Sequence, residues 1–144
     1  MAEFKIQIKA DPQTVWDILW DKETYPLWTA PFGGGNHVKG GWEKGSKVYF
    51  LDAKDQGMVS QVADVIPGEL MSLRYLGDFV EGRENLETEF AKKYGGSLEN
   101  YYLSSSGGIT TVTVSVDMIE EMREYFMNAW PAALKALKDL AEKV

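Results

Sequence analysis

The 144-residue sequence has no cysteine and a single histidine, His37. The first absence excludes a disulfide framework, a thiolate nucleophile and cysteine-ligated zinc. The second excludes any metal site that needs two imidazoles. Basic residues are also scarce: 15 Lys and Arg stand against 22 Asp and Glu, a formal charge of −7 with a pI near 4.7. A nucleic-acid binder needs a basic footprint, and anionic lipid attracts basic segments, so neither is expected as a partner. No run approaches the ~20 apolar residues of a membrane span. The opening Met1-Ala2-Glu3-Phe4-Lys5-Ile6 alternates polar and apolar and lacks the apolar core of a signal peptide. A cytoplasmic chain with no membrane insertion is therefore the expectation.

Hydrophobic residues make up 44% and charged residues 26%, a globular composition. A domain of this length buries about two-thirds of its unfolded surface and needs no disulfide or metal staple. There is no repeat, low-complexity tract or linker, so residues 1–144 read as one domain.

The element pattern is α+β. Residues 2–10 alternate with period two, placing Phe4, Ile6, Ile8 and Ala10 on one face. Asp11-Pro12 then supplies an N-cap and a proline at the first helical position, predicting a helix over 13–20. A second short helical turn is predicted over 23–28, followed by a loop through Pro31, Phe32 and Gly33-Gly34-Gly35. Strands are predicted near 36–42, 47–52, 57–66 and 70–77, separated by glycine- and proline-containing turns. Leu86, Phe90 and Tyr94 at i, i+4 and i+8 predict an amphipathic helix over 83–94, closed by Gly95-Gly96. Two further strands, 97–105 and 109–118, form a hairpin turning through Ser106-Gly107-Gly108. The last 25 residues, 119–143, predict one long helix with an apolar stripe through Met122, Phe126, Trp130, Ala133, Leu137 and Leu140. Pro131 inside it removes the bond to the Met127 carbonyl and is expected to kink it.

The segment Ile8-Lys9-Ala10-Asp11-Pro12-Gln13-Thr14-Val15-Trp16-Asp17, with Trp28, resembles the opening signature of the START and birch-pollen-allergen (SRPBCC) superfamily. Val65-Ile66-Pro67-Gly68-Glu69-Leu70 is similar to a turn of one branch, the homologues of the activator of the ninety-kilodalton heat-shock chaperone ATPase. Trp130, Leu134 and Leu137 resemble that branch's helix ending. The resemblance implies a helix-grip fold: a curved antiparallel seven-stranded sheet wrapped around a long C-terminal helix, with two short helices after strand 1. It departs from the eukaryotic activator in leaving no room for the N-terminal domain that makes much of the chaperone contact. The insert at 78–96 is similar to that of a bacterial subgroup and is expected to lie over the mouth of the grip.

A sheet curled around a helix leaves space between them. Five Trp, seven Tyr, six Phe and six Met are available to line it. Trp28, Phe32, Tyr75, Tyr102, Phe126, Met127 and Trp130 fall on faces expected to look inward, and they are the candidate ligand-binding residues. Bulky, weakly polar side chains suit an apolar pocket with a few hydrogen-bonding tips. The same residues also suit a filled core with no pocket, and the pattern leaves both open.

Chemistry finds less support. His37 sits in a loop, with no serine on a strand-to-helix elbow beside it, and reads as solvent-facing. Gly33-Gly34-Gly35 lacks the Gly-Lys-Ser/Thr ending of a phosphate loop and reads as a hinge. Asp52 and Asp55 lack the ligand set of a calcium loop. Asp64 and Glu99 lie in strands but are expected to point to solvent. No catalytic residue, metal or cofactor is assigned. The expected function is non-enzymatic binding of a small hydrophobic or amphipathic molecule, a lipid among the candidates. A chaperone-accessory interaction module is the alternative, and a cyclase- or aromatase-like enzyme the third. The last would need a buried ionisable group in the pocket.

Overall fold

The computed structural model describes residues 1–143. Strand β1 (Ala2–Ile8) is followed by α1 (Pro12–Trp20), α2 (Tyr25–Trp28) and a 3-10 turn (Ala30–Phe32). Strands β2 (His37–Gly40), β3 (Lys47–Leu51), β4 (Gly57–Ile66) and β5 (Leu70–Val80) form an antiparallel run. Strand β6 (Arg83–Asn85), α3 (Glu89–Tyr94), β7 (Leu98–Ser106) and β8 (Ile109–Val116) come next. A 3-10 turn (Glu120–Met122) then leads into α4 (Arg123–Glu142). The sheet order is β1-β8-β7-β5-β4-β3-β2, with β6 paired to β5 off this path. This is the helix-grip architecture, with one short strand beyond the seven expected.

Local chemistry accounts for the element boundaries. Asp11 caps α1 by accepting from the Thr14 N–H at 2.8 Å, and Pro12 occupies the first turn, where its missing donor costs nothing. The Trp28 indole donates to the Leu19 carbonyl at 3.1 Å, which fixes α2 against α1 inside the core. Two departures from the sequence expectation lie in the segment 78–96. Glu81 and Gly82 both take positive φ, the geometry of a two-residue hairpin, so Arg83 pairs with Val80 and residues 83–85 form a strand. The helix starts later, where the Thr88 hydroxyl accepts from the Ala91 N–H at 3.0 Å.

The two halves of this segment lie differently: β6 on the outer face of the sheet, and α3 at the cavity's edge, where Lys93 pairs with Glu121 at 3.0 Å beside the cavity-lining Met122. Glu84 accepts from Lys47 Nζ and from the Tyr49 hydroxyl, each at 2.8 Å. Lys47 and Tyr49 alternate with Val48 and Phe50, which face the core and the cavity. Glu84 therefore folds onto the outer face of the sheet. No residue between 78 and 96 lines the cavity; α3 reaches it only indirectly, Phe90 packing edge-on against Tyr75 with ring centroids 5.7 Å apart.

Two β-bulges bend the central pair. Across β4 and β5, Leu76 and Ala63 are extra residues, skipped between Val59/Ser60 and Val62/Asp64. Extra residues of this kind increase local twist and bend a strand, here around α4. Trp130, Ala133, Leu134 and Leu137 of α4 pack into the concavity against Ile8, Met71, Val112 and Val114, all buried. Pro131 lies inside an α4 that runs on to Glu142, and the Met127 carbonyl it leaves without a donor belongs to a half-exposed residue.

Leu137 is fully buried and Met127 is 50% exposed. Leu137→Ala should destabilise the fold by about 2–5 kcal/mol, whereas Met127→Ala should change it by less than about 0.5 kcal/mol. Urea unfolding of the two variants checks the difference.

Candidate functional site

The core does not fill the whole concavity. Between the sheet and α4 lies a cavity of about 490 Å³. The helical segments contribute Tyr25, Trp28 and Phe32 on one side, and α4 contributes Phe126 and Trp130 on another. The sheet supplies Phe50, Ser60, Leu73, Tyr75, Glu99 and Tyr101. Trp130 joins these walls. Its ring centroid lies 4.9 Å from Phe32, 6.5 Å from Trp28, 6.0 Å from Tyr101 and 6.0 Å from Phe4. At the open end the Tyr125 hydroxyl donates to the Phe32 carbonyl, tying α4 to the 3-10 turn. Tyr75 is held by Asp78, which accepts from its hydroxyl at 2.7 Å and from Thr88 at 2.6 Å.

Five of the seven residues expected to face inward do so: Trp28, Phe32, Tyr75, Phe126 and Trp130. Tyr102 and Met127 do not. Tyr102 is 46% exposed because the neighbouring Tyr101 occupies the inward phase of β7, opposite Val114 and Met71. Met127 follows Phe126 on α4 and is turned about 100° from it around the helix axis.

The same phase puts Glu99 into the cavity, contrary to the expectation that it points to solvent. Glu99 shares its face with Tyr101 and Leu103 and lies opposite Val116 and Leu73. Its Oε2 accepts from the Tyr101 hydroxyl at 2.5 Å. Among the described residues it has no salt-bridge partner. Burial pushes the Glu99 carboxyl up from its ordinary value, and the single Tyr101 bond only partly opposes the shift. Burial, reinforced by the nearby Glu99 charge, likewise raises the Tyr25 and Tyr101 hydroxyls, so both stay protonated donors. Asp64, by contrast, is exposed as expected.

Other polar candidates settle into structural roles. His37 opens β2, its Nε2 2.7 Å from Asp55, and its side chain is 31% exposed rather than fully solvent-facing. Gly35 packs so closely that a Cβ there would sit 2.6 Å from that of Ala53. Asp52 accepts from the Lys54 and Gln56 N–H groups, which hold its carboxyl below the ordinary range and close the β3–β4 turn. Among the described residues no group of three or more His, Asp or Glu is placed to hold a metal, and no helix is long and apolar enough to cross a membrane. The Trp20 and Trp130 indole nitrogens are buried without a hydrogen-bond partner.

Because the raised Glu99 carboxyl holds its proton more tightly folded than unfolded, its contribution to stability is complete at low pH and is lost as the pH rises past the ordinary carboxylate range. Glu99→Gln keeps an acceptor for Tyr101 and removes this loss. Thermal unfolding from pH 4 to 8 should show the variant gaining on the parent as the pH rises; parallel curves would contradict the burial of Glu99.

No family model and no curated protein matches the sequence. Solved structures do match in shape. Aha1 from Colwellia psychrerythraea, solved as a dimer, superposes with a TM-score of 0.71 at 18% identity, covering 99% of this chain and 97% of its own. MLL2253 from Mesorhizobium loti gives 0.69 at 14% identity over 99% and 98%. CalU16 from Micromonospora echinospora gives 0.66 at 16% identity over 96% and 74%. With so little identity across so much of each chain, it is the path of the backbone that is shared: the chain has the helix-grip fold.

Proposed function

We propose that this protein is a binding domain that holds a small apolar or amphipathic molecule between its sheet and α4. The observation that carries this reading is the cavity itself. At about 490 Å³ it falls in the size range of small-molecule sites, with aromatic walls and few polar tips. A core that simply filled the concavity would leave no such space, since protein interiors pack to nearly crystalline density. The likeness to Aha1 and CalU16 supports a fold that accommodates such a space and does not name an occupant.

One observation favours a second reading. A cyclase- or aromatase-like enzyme needs an ionisable group facing its substrate from a desolvated position, and the half-buried Glu99 lines the cavity with its carboxyl raised. It would act on the bound molecule, so both readings share the cavity. A chaperone-accessory role draws support only from the likeness to Aha1.

Titration with Nile red, a neutral apolar dye, should show saturable binding of one molecule per chain. Ser60 is buried in the cavity wall, so Ser60→Phe should fill part of the space and weaken the dye by about tenfold or more, roughly 1.4 kcal/mol. Non-saturable binding, or binding indifferent to Ser60→Phe, would sink the reading. Native mass spectrometry of freshly purified protein should in addition show an extra mass that disappears on denaturation.

A further inference from the structure

We propose that the cavity selects an apolar molecule carrying a protonated amine, whose ammonium seats against the Glu99 carboxyl between Tyr25 and Tyr101. This rests on the reading of the cavity as a binding site and adds the head group to it.

The charge of the lining is one-sided. Asp52, Glu99 and Asp117 line the cavity, and no Lys, Arg or His does among the described residues. Two of the three carboxylates are already engaged. Asp52 accepts from the Lys54 and Gln56 backbone N–H groups at 2.8 and 3.1 Å, and Asp117 accepts from the Leu98 N–H at 2.8 Å. Glu99 has its one side-chain bond on Oε2, from Tyr101, which leaves Oε1 without a partner among the described residues. An acceptor of this kind in an apolar cavity favours a donor, and an ammonium supplies both a donor and the opposite charge.

The surrounding rings fit the same head group. Tyr25, Trp28, Tyr101 and Trp130 line the same space as Glu99. Aromatic faces attract a desolvated cation through the ring quadrupole. An anionic head group meets the reverse: carboxylates, ring faces and no cation, in surroundings where like charges repel strongly. A neutral hydroxyl satisfies Oε1 but gains no charge pairing. The expected order of affinity is amine, then alcohol, then carboxylate.

Phenylbutylamine, phenylbutanol and phenylbutanoate share ring and chain and differ only in head group, so calorimetric titration of the three at neutral pH separates the possibilities. The amine should bind about tenfold more tightly than the alcohol, the margin of a charge-assisted over a neutral hydrogen bond, and the carboxylate should bind most weakly. In Glu99→Gln the amine-to-alcohol ratio should fall to about one. Equal binding of amine and alcohol to the parent protein would overturn the amine proposal and leave the cavity reading standing. An amine preference that persists in Glu99→Gln would overturn the role of Glu99. If none of the three binds, both readings fall.

Discussion

Everything distinctive in this protein depends on the way a bent sheet meets one long helix. The bulges at Leu76 and Ala63 curve β4 and β5 around α4, and the rest of the sheet follows through its antiparallel ladder. A helix cannot follow that curve along its whole length. Where Ala133, Leu134 and Leu137 meet the strands, contact is complete and the side chains are fully or almost fully buried. Toward the start of α4 the surfaces diverge. Trp130 stands at the point of divergence, touching Phe4, Trp28, Phe32 and Tyr101 while forming one wall of the space beyond. One residue thus belongs both to the packed core and to the cavity.

The cavity's one carboxyl with an oxygen left without a partner among the described residues comes from β7. Aromatic walls alone would accept any apolar molecule. Glu99 on β7 introduces a carboxyl that burial discourages from ionising, and its neighbours Tyr25 and Tyr101 are hydroxyl donors rather than cations. A charge in a partly desolvated site is costly to leave unpaired, and a partner of opposite sign removes much of that cost. The amine preference proposed above follows from this arrangement. The acidic balance of the whole chain does not by itself produce this, because most of the other carboxylates are solvated or tied to lysines on the surface, as Glu84 and Glu121 are.

Much of the fold was legible in the sequence because its signals were local. The Asp11-Pro12 cap, the valine alternation in β8, the apolar stripe of α4 and the order of elements led to the helix grip, and five inward aromatics followed from it. Glu99 was misread for an equally local reason. In β7 both faces carry tyrosine, Tyr101 on one and Tyr102 on the other, so alternation does not choose between them. The hairpin decides. Gly107 and Gly108 both adopt positive φ and form a two-residue turn that pairs Ser106 with Ile109. Glu99 then falls opposite Val116 and Tyr101 opposite Val114. Counting Ser106 into the turn shifts the register by one residue and exchanges the two faces of the strand.

The strand at 83–85 escaped for a similar cause: Glu81-Gly82 is a turn signal that a helical spacing of Leu86, Phe90 and Tyr94 overrode. By itself the sequence determined most of the secondary elements, their order and an interior rich in aromatic rings, since these follow from periodicity, caps and composition along the chain. Only the tertiary structure decided that the interior keeps an open space, that β6 folds onto the outer face of the sheet, and that a carboxyl faces the cavity. Each of these depends on the register and convergence of elements far apart in the chain, where one residue of offset or a few ångströms of divergence separates a filled core from an open cavity.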